Sequence, residues 1–153
     1  MRILLIEDEH DKREKIRSQV ESLIGPTVVI IERESLRGGL KAILAMNDFD
    51  LILLDMSMPS FDLANEFGSE DPESFAGIEI MSQMKLRDIN IPVLVVTQYK
   101  SFEKGSVSLE DLIEKMTKDF KPFFKGTIYY DSLLEGWKKQ LSDYLEKSEK
   151  ACK

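Results

Sequence analysis

Apolar residues along this chain fall into two alternating patterns. Three short unbroken runs, Ile3-Leu4-Leu5-Ile6, Leu51-Ile52-Leu53-Leu54 and Pro92-Val93-Leu94-Val95-Val96, are bounded by charged or turn-forming residues. Such runs predict strands buried on both faces, as in a parallel sheet. Thr27 to Ile31 and Thr127-Ile128-Tyr129-Tyr130, rich in β-branched and aromatic residues, predict two more strands. Between the runs, apolar positions recur at helical spacing. The stripes are Ile16, Val20, Leu23 and Ile24; Leu36, Leu40, Ile43 and Leu44; and Ile80, Met81 and Met84. Two more follow: Leu109, Leu112, Ile113, Met116 and Phe120, then Leu134, Trp137, Leu141, Tyr144 and Leu145. Asp11 and Ser35 are expected helix caps, Gly25-Pro26 a stop, and Ser108 with Asp111 and Ser132 with Glu135 read as capping boxes. Strands alternating with about five helices predict an α/β fold whose parallel sheet carries helices on both faces.

Two segments break this rhythm. Ser60 to Ala76 holds Asp62, Glu66, Glu70, Asp71 and Glu73 with no lysine or arginine, and Phe61, Leu63, Phe67 and Phe75 lie among the acids. An acidic insertion at about 60–76 is too long for an ordinary connection, and it starts beside the end of the central strand. It reads either as a solvated loop or as a lid or partner surface. A second expanded segment covers about 100–126.

The rest of the composition bounds the protein without naming its chemistry. A length of 153 residues suits a single domain over 1–153, and the tail from Glu146 is expected to fray. A net charge of -7 argues against direct nucleic-acid binding through a basic surface. The lone cysteine, Cys152, allows no internal disulfide, and there is no long apolar span, so a cytoplasmic protein away from membranes is expected.

The candidate chemistry sits where the strands end. Glu7 and Asp8 follow the first strand, Asp55 follows the central one, and Thr97 closes the strand that begins at Pro92. Open α/β sheets bind ligands at this carboxyl edge. Clustered carboxylates favour a hard divalent cation with oxygen ligands, and Mg2+ leaves room for phosphate oxygens. A carboxylate such as Asp55 can itself be the nucleophile and form an aspartyl phosphate, with Thr97 donating a hydrogen bond to a phosphoryl oxygen. Other site types are excluded. No GxxxxGK[ST] loop, dinucleotide fingerprint or G-x-S-x-G elbow occurs, and one histidine with one cysteine makes no ordinary zinc site. His10 is expected on a solvated first helical turn rather than as a base.

These residues resemble the receiver domain of two-component response regulators. The likeness rests on Glu7-Asp8, on Leu54-Asp55-Met56-Ser57-Met58-Pro59, on Gly77 opening a helix and on Thr97, in the family's order and spacing. It implies a flavodoxin/receiver-like, doubly wound sheet of five parallel strands in the order 2-1-3-4-5. It further implies Asp55 as phosphoacceptor and a Mg2+ site made by Glu7, Asp8, Asp55 and the carbonyl of Ser57. Thr97 becomes the phosphoryl hydrogen-bond donor and switch residue, with Tyr129 its aromatic partner. One departure is serious. The family's lysine after the last strand has no counterpart, since the chain reads Tyr130-Asp131-Ser132-Leu133. That loss should favour metal binding and impair phosphate stabilisation, unless Lys100, Lys104 or Lys125 reaches in.

The resemblance therefore implies a stand-alone response regulator rather than an enzyme. A histidine kinase or phosphotransfer protein would be the phosphodonor, and the signal would leave through a downstream protein partner, a homodimer or onward phosphotransfer. The missing lysine keeps an alternative open, a phosphorylation-independent receiver acting as a constitutive protein-interaction module. A phosphohydrolase with an aspartyl nucleophile would want an acid/base aspartate two residues on, where Ser57 stands.

Overall fold

The three apolar runs become neighbouring strands in a computed structural model of the chain, which describes residues 1–58, 75–98, 101–102 and 107–151. In chain order the elements are β1 (Arg2–Ile6), α1 (His10–Ile24), β2 (Val29–Arg33), α2 (Leu36–Met46), β3 (Leu51–Leu54) and α3 (Ala76–Leu86). Then come β4 (Val93–Thr97), β5 (Ser101–Phe102), β6 (Val107–Ser108), α4 (Leu109–Asp119), β7 (Phe124–Tyr129) and α5 (Gly136–Ala151). The main sheet has the order β2-β1-β3-β4-β7, and every neighbouring pair in it is parallel. Counting this sheet's strands alone, that is the expected 2-1-3-4-5.

Successive strand residues face opposite sides, so each central strand feeds two cores. Leu4, Ile6, Ile52, Leu54, Val93 and Val95 face one side, where α2, α3 and α4 bring Ile43, Met81 and Met116. Ile3, Leu5, Leu51, Leu53, Leu94 and Val96 face the other, against Ile16 and Val20 of α1 and Trp137 and Leu141 of α5. Both faces are covered, which is why β1, β3 and β4 read as unbroken apolar runs.

Several boundaries differ from expectation for identifiable reasons. Asp11 is not a cap: α1 begins at His10, Glu9 is the cap residue without a side-chain bond, and Asp11 lies in the first turn. Strand β2 runs two residues later than Thr27 to Ile31, because Glu32 and Arg33 pair with β1 at the sheet's edge. Strand β7 begins at Phe124 rather than Thr127. Gly126 takes a φ of 138° next to a register shift at Val93 and Leu94, and this irregularity hides the strand's start from its sequence pattern. Leu23 and Leu44 face outward at 36% and 46% exposure, so the apolar stripes of α1 and α2 are narrower than the spacing suggests, and Leu134, 64% exposed, precedes the last helix rather than joining its stripe.

The caps at Ser35 and Ser108 form as expected, accepting from Gly38 N–H at 3.0 Å and Asp111 N–H at 3.1 Å. Ser132 instead lies in a turn ahead of α5, where Asp131 Oδ1 accepts from Leu133 N–H. The last helix extends past Glu146 to Ala151. The antiparallel pair β5–β6, inside the expanded segment, was not expected. The acidic insertion other than residues 75–76, and Cys152, lie outside the described residues.

Candidate functional site

Strand register builds the site. Ile6 pairs with Leu54, so the residues that follow them, Glu7 and Asp55, emerge side by side, and Asp55 N–H donates to Ile6 O at 3.1 Å. Leu54 in turn pairs with Val95, which brings Val96 and Thr97 to the same rim. Glu7, Asp8 and Asp55 can each present a carboxylate oxygen within 4.8 Å of the other two. Glu7 and Asp55 are buried, at 1% and 4% exposure, while Asp8 is half-buried.

The acids are oriented from several sides. Asp55 Oδ1 accepts from Met56 N–H at 2.8 Å, and Glu7 Oε2 accepts from Glu9 N–H at 3.1 Å. Arg13 donates to the carbonyl of Glu7 at 3.0 Å and pairs with Glu34 at 3.1 Å, tying the end of β1 to α1. Gly77 opens α3 by donating to Met56 O at 3.1 Å. A Cβ at Gly77 would lie 2.8 Å from the backbone oxygen of Asp55, closer than real contacts allow, and a tight 3.1 Å from Met56 Cα. Gly77→Ala should therefore cost about 1–3 kcal/mol in urea unfolding and displace the Asp55 segment, seen as amide shifts at Asp55 and Met56. An unchanged midpoint with unchanged shifts would show that the two backbones need no such closeness.

Lysine 12 enters from α1. Its Nζ lies 2.5 Å from Glu7 Oε1, 3.1 Å from Asp55 Oδ1 and 2.9 Å from Val96 O, with the Tyr130 ring centroid at 5.6 Å. Its side chain is 1% exposed. Burial and the neighbouring Asp55 push the Glu7 carboxyl up to about 9, against the pull of Lys12. Burial also raises Asp55, again opposed by Lys12. For Lys12 burial disfavours the charge, but Asp55 and Glu7 outweigh it and the ammonium is held.

Sequence reasoning missed this residue. It sought a replacement cation after the fourth strand of the sheet, yet Lys125 is exposed on β7, and Lys100 and Lys104 lie outside the described residues. The usable signal was one helical turn before Ile16 and Val20. Lys12 continues their inward stripe, so a charged group there had to meet either the core or the acids.

The remaining candidates fall near the same edge. Thr97 is buried at the end of β4 and pairs in register with Tyr129, whose side chain borders a shallow cleft with Ser108, Leu109 and Glu110. Ser57 is half-buried two residues past Asp55. His10 is itself exposed on the first turn of α1, 3.3 Å from Glu14.

A five-stranded sheet of this order with an acid cluster at its carboxyl rim defines a response regulator receiver domain. A family profile of that description matches residues 3–122, and the chain belongs to that family. It is 31% identical over 115 residues to the Detocs response regulatory protein DtcB of Enterobacter cloacae (strain JD6301), covering 74% of this chain and 75% of that one. Among solved structures, the Francisella response regulator 1452 receiver domain matches with a TM-score of 0.63 at 16% identity, over 99% of this chain and 98% of that chain. The Mn(2+)-bound form of response regulator Rcp1 matches with a TM-score of 0.61 at 16% identity, over 93% and 89%. At such identities the two structures speak for the fold alone.

Receiver domains are signalling modules that take phosphate from histidine kinases and bind Mg2+ at an acidic pocket. The residues here fit such an ion. Glu7 Oε1 is buried and, although beside the Lys12 ammonium, accepts no aligned hydrogen bond. Three carboxylates and one ammonium leave two formal negative charges, the number a divalent cation balances, and a cation would also reverse the upward shifts of Glu7 and Asp55. Among the described residues, no helix is long and apolar enough to cross a membrane.

Proposed function

We propose that this receiver is phosphorylated on Asp55 in a Mg2+-dependent reaction and signals by phosphorylation-gated contact with another protein. One observation carries the reading: Asp55 ends the central strand with two acids and a buried ammonium around it, and the donors at its Oδ1 are already in place. Glu7, Asp8, Asp55 and the Ser57 carbonyl would hold the ion, which supplies positive charge against the phosphoryl oxygens when bound. Thr97 donates a hydrogen bond from its hydroxyl to a phosphoryl oxygen, and Tyr129, its register partner, follows the threonine when it moves. The single receiver over 1–153, the histidine-kinase or phosphotransfer donor, the downstream partner and any homodimer belong to this same reading. Likeness to the Detocs response regulatory proteins supports a place in a signalling circuit. The metal-bound Rcp1 form shows that a related fold takes a divalent cation.

The test is a Mg2+ titration followed by acetyl phosphate. Mg2+ at 100 times its dissociation constant should stabilise the fold by about 2.7 kcal/mol through linkage, an effect that Asp8→Asn should weaken. Intact-mass analysis should then show one added phosphoryl group per chain, only with Mg2+ present. A protein that Mg2+ stabilises but that gains no mass from acetyl phosphate or from a histidine phosphodonor would instead be a phosphorylation-independent module.

A further inference from the structure

We infer that Lys12 is the phosphoryl-binding cation of this site, supplied from the first turn of α1 rather than from the residue that follows β7. The inference rests on the reading of Asp55 as phosphoacceptor and adds to it the group that receives the new charge. Lysine is almost never fully buried unless paired, and Lys12 is the buried lysine among the described residues. An ammonium has three N–H donors, and three oxygens lie within reach: those of Glu7, Asp55 and Val96. The remaining face meets the ring of Tyr130, the residue immediately after β7. Lys12 and Tyr130 thus occupy one small space between α1 and the end of the sheet. With an aromatic ring on the β7 side, the positive charge comes from the helix side.

The same geometry defines what the charge does. In the transfer from acetyl phosphate, an Asp55 carboxylate oxygen forms a bond to phosphorus as the bond from phosphorus to the acetate oxygen breaks. Acetate leaves with that electron pair, and Lys12 remains an ammonium throughout. The product carries more negative charge at Asp55 than the carboxylate did, within reach of a cation already desolvated and fixed. Because the Lys12 amine also holds Val96 O, next to Thr97, its turn toward a phosphoryl oxygen changes the contact just before the switch residue.

The experiment compares the parent protein with Lys12→Met, and with Lys12→Gln if the first variant does not fold, since glutamine keeps a donor for Val96 O. Three readouts are taken: Mg2+ affinity by calorimetry, beryllofluoride-induced amide shifts at Val96 and Thr97, and the rate of phosphoryl uptake. Loss of the ammonium should leave Mg2+ affinity unchanged or tighter, because a competing positive charge is gone. Phosphoryl uptake should fall about 100-fold, as for removal of one preorganised charge-stabilising donor, and the beryllofluoride shifts should vanish. Lys12→Met combined with Tyr130→Lys should recover part of both, since it places an amine in the same space from the β7 side. A parent that responds and a Lys12 variant that responds equally would overturn the Lys12 role alone. Weakened Mg2+ binding alongside lost uptake, with no recovery in the double variant, would make Lys12 a purely structural residue. A parent that takes up neither phosphate nor beryllofluoride would overturn the Asp55 reading, and the Lys12 role with it.

Discussion

Asp55→Asn should take up no phosphoryl group from acetyl phosphate, however long the incubation. An amide has no carboxylate oxygen to attack phosphorus, and the substitution also removes one of the three acids that would hold the metal. Asparagine matches the shape of aspartate, and Lys12 keeps Glu7 and Val96 O as partners, so the fold should survive. The comparison is made by intact mass on folded protein, with circular dichroism as the check on folding. Loss of mass gain in a folded variant assigns the phosphoryl group to Asp55. A variant labelled as fast as the parent would place it elsewhere, with Asp8 the next carboxylate to replace.

Ile52→Ala should be among the most damaging single truncations for stability. Ile52 is fully buried in the middle of the sheet, with β1 on one side and β4 on the other, paired to Leu4 and Val93. Removing its outer methyl and methylene groups leaves a cavity that helices on that face cannot easily close. The expected cost is about 4 kcal/mol in urea unfolding at constant m-value. Against a total of roughly 5–15 kcal/mol for a domain, much of the chain would then populate the unfolded state under mild stress. A loss below about 1 kcal/mol would mean that α2 and α3 repack into the gap more freely than close-packed interiors normally allow.

Legibility of the fold followed burial. Strands β1, β3 and β4 are covered on both faces, so each is an unbroken apolar run, and Glu7, Asp55 and Thr97 lie at their carboxyl ends. The edge strands were harder. Val29 to Arg33 carries polar side chains because, among the described residues, one side of β2 has no strand neighbour, and Arg17 from α1 pairs with Glu32 there at 3.2 Å. In β7 the glycine at 126 and the exposed Lys125 interrupt the pattern just where pairing begins. Single-turn signals such as Asp11 failed because an acidic residue suits the first helical turn as well as the cap.

The acid cluster was readable because it sits at strand ends, which sequence marks clearly. Its cation was not, because helical residues reach a site through three dimensions rather than through order along the chain. Tyr130 stands where the resemblance leads one to seek a lysine, and Lys12 stands where a helix would ordinarily carry an apolar side chain into the core. Only the packing of α1 against the sheet shows that the two positions meet.

The packing around Lys12 also gives the protein a built-in optical probe. Trp137 is its single tryptophan, and the indole lies 5.0 Å from the Tyr130 ring at an angle of 46°. Tyr130 in turn faces the Lys12 ammonium. Indole emission responds to nearby charge, and here only one phenol ring separates the fluorophore from the cation at Asp55. Occupancy of the rim should therefore change the ultraviolet emission of unlabelled protein, measurable at concentrations too low for magnetic resonance and on the timescale of rapid mixing.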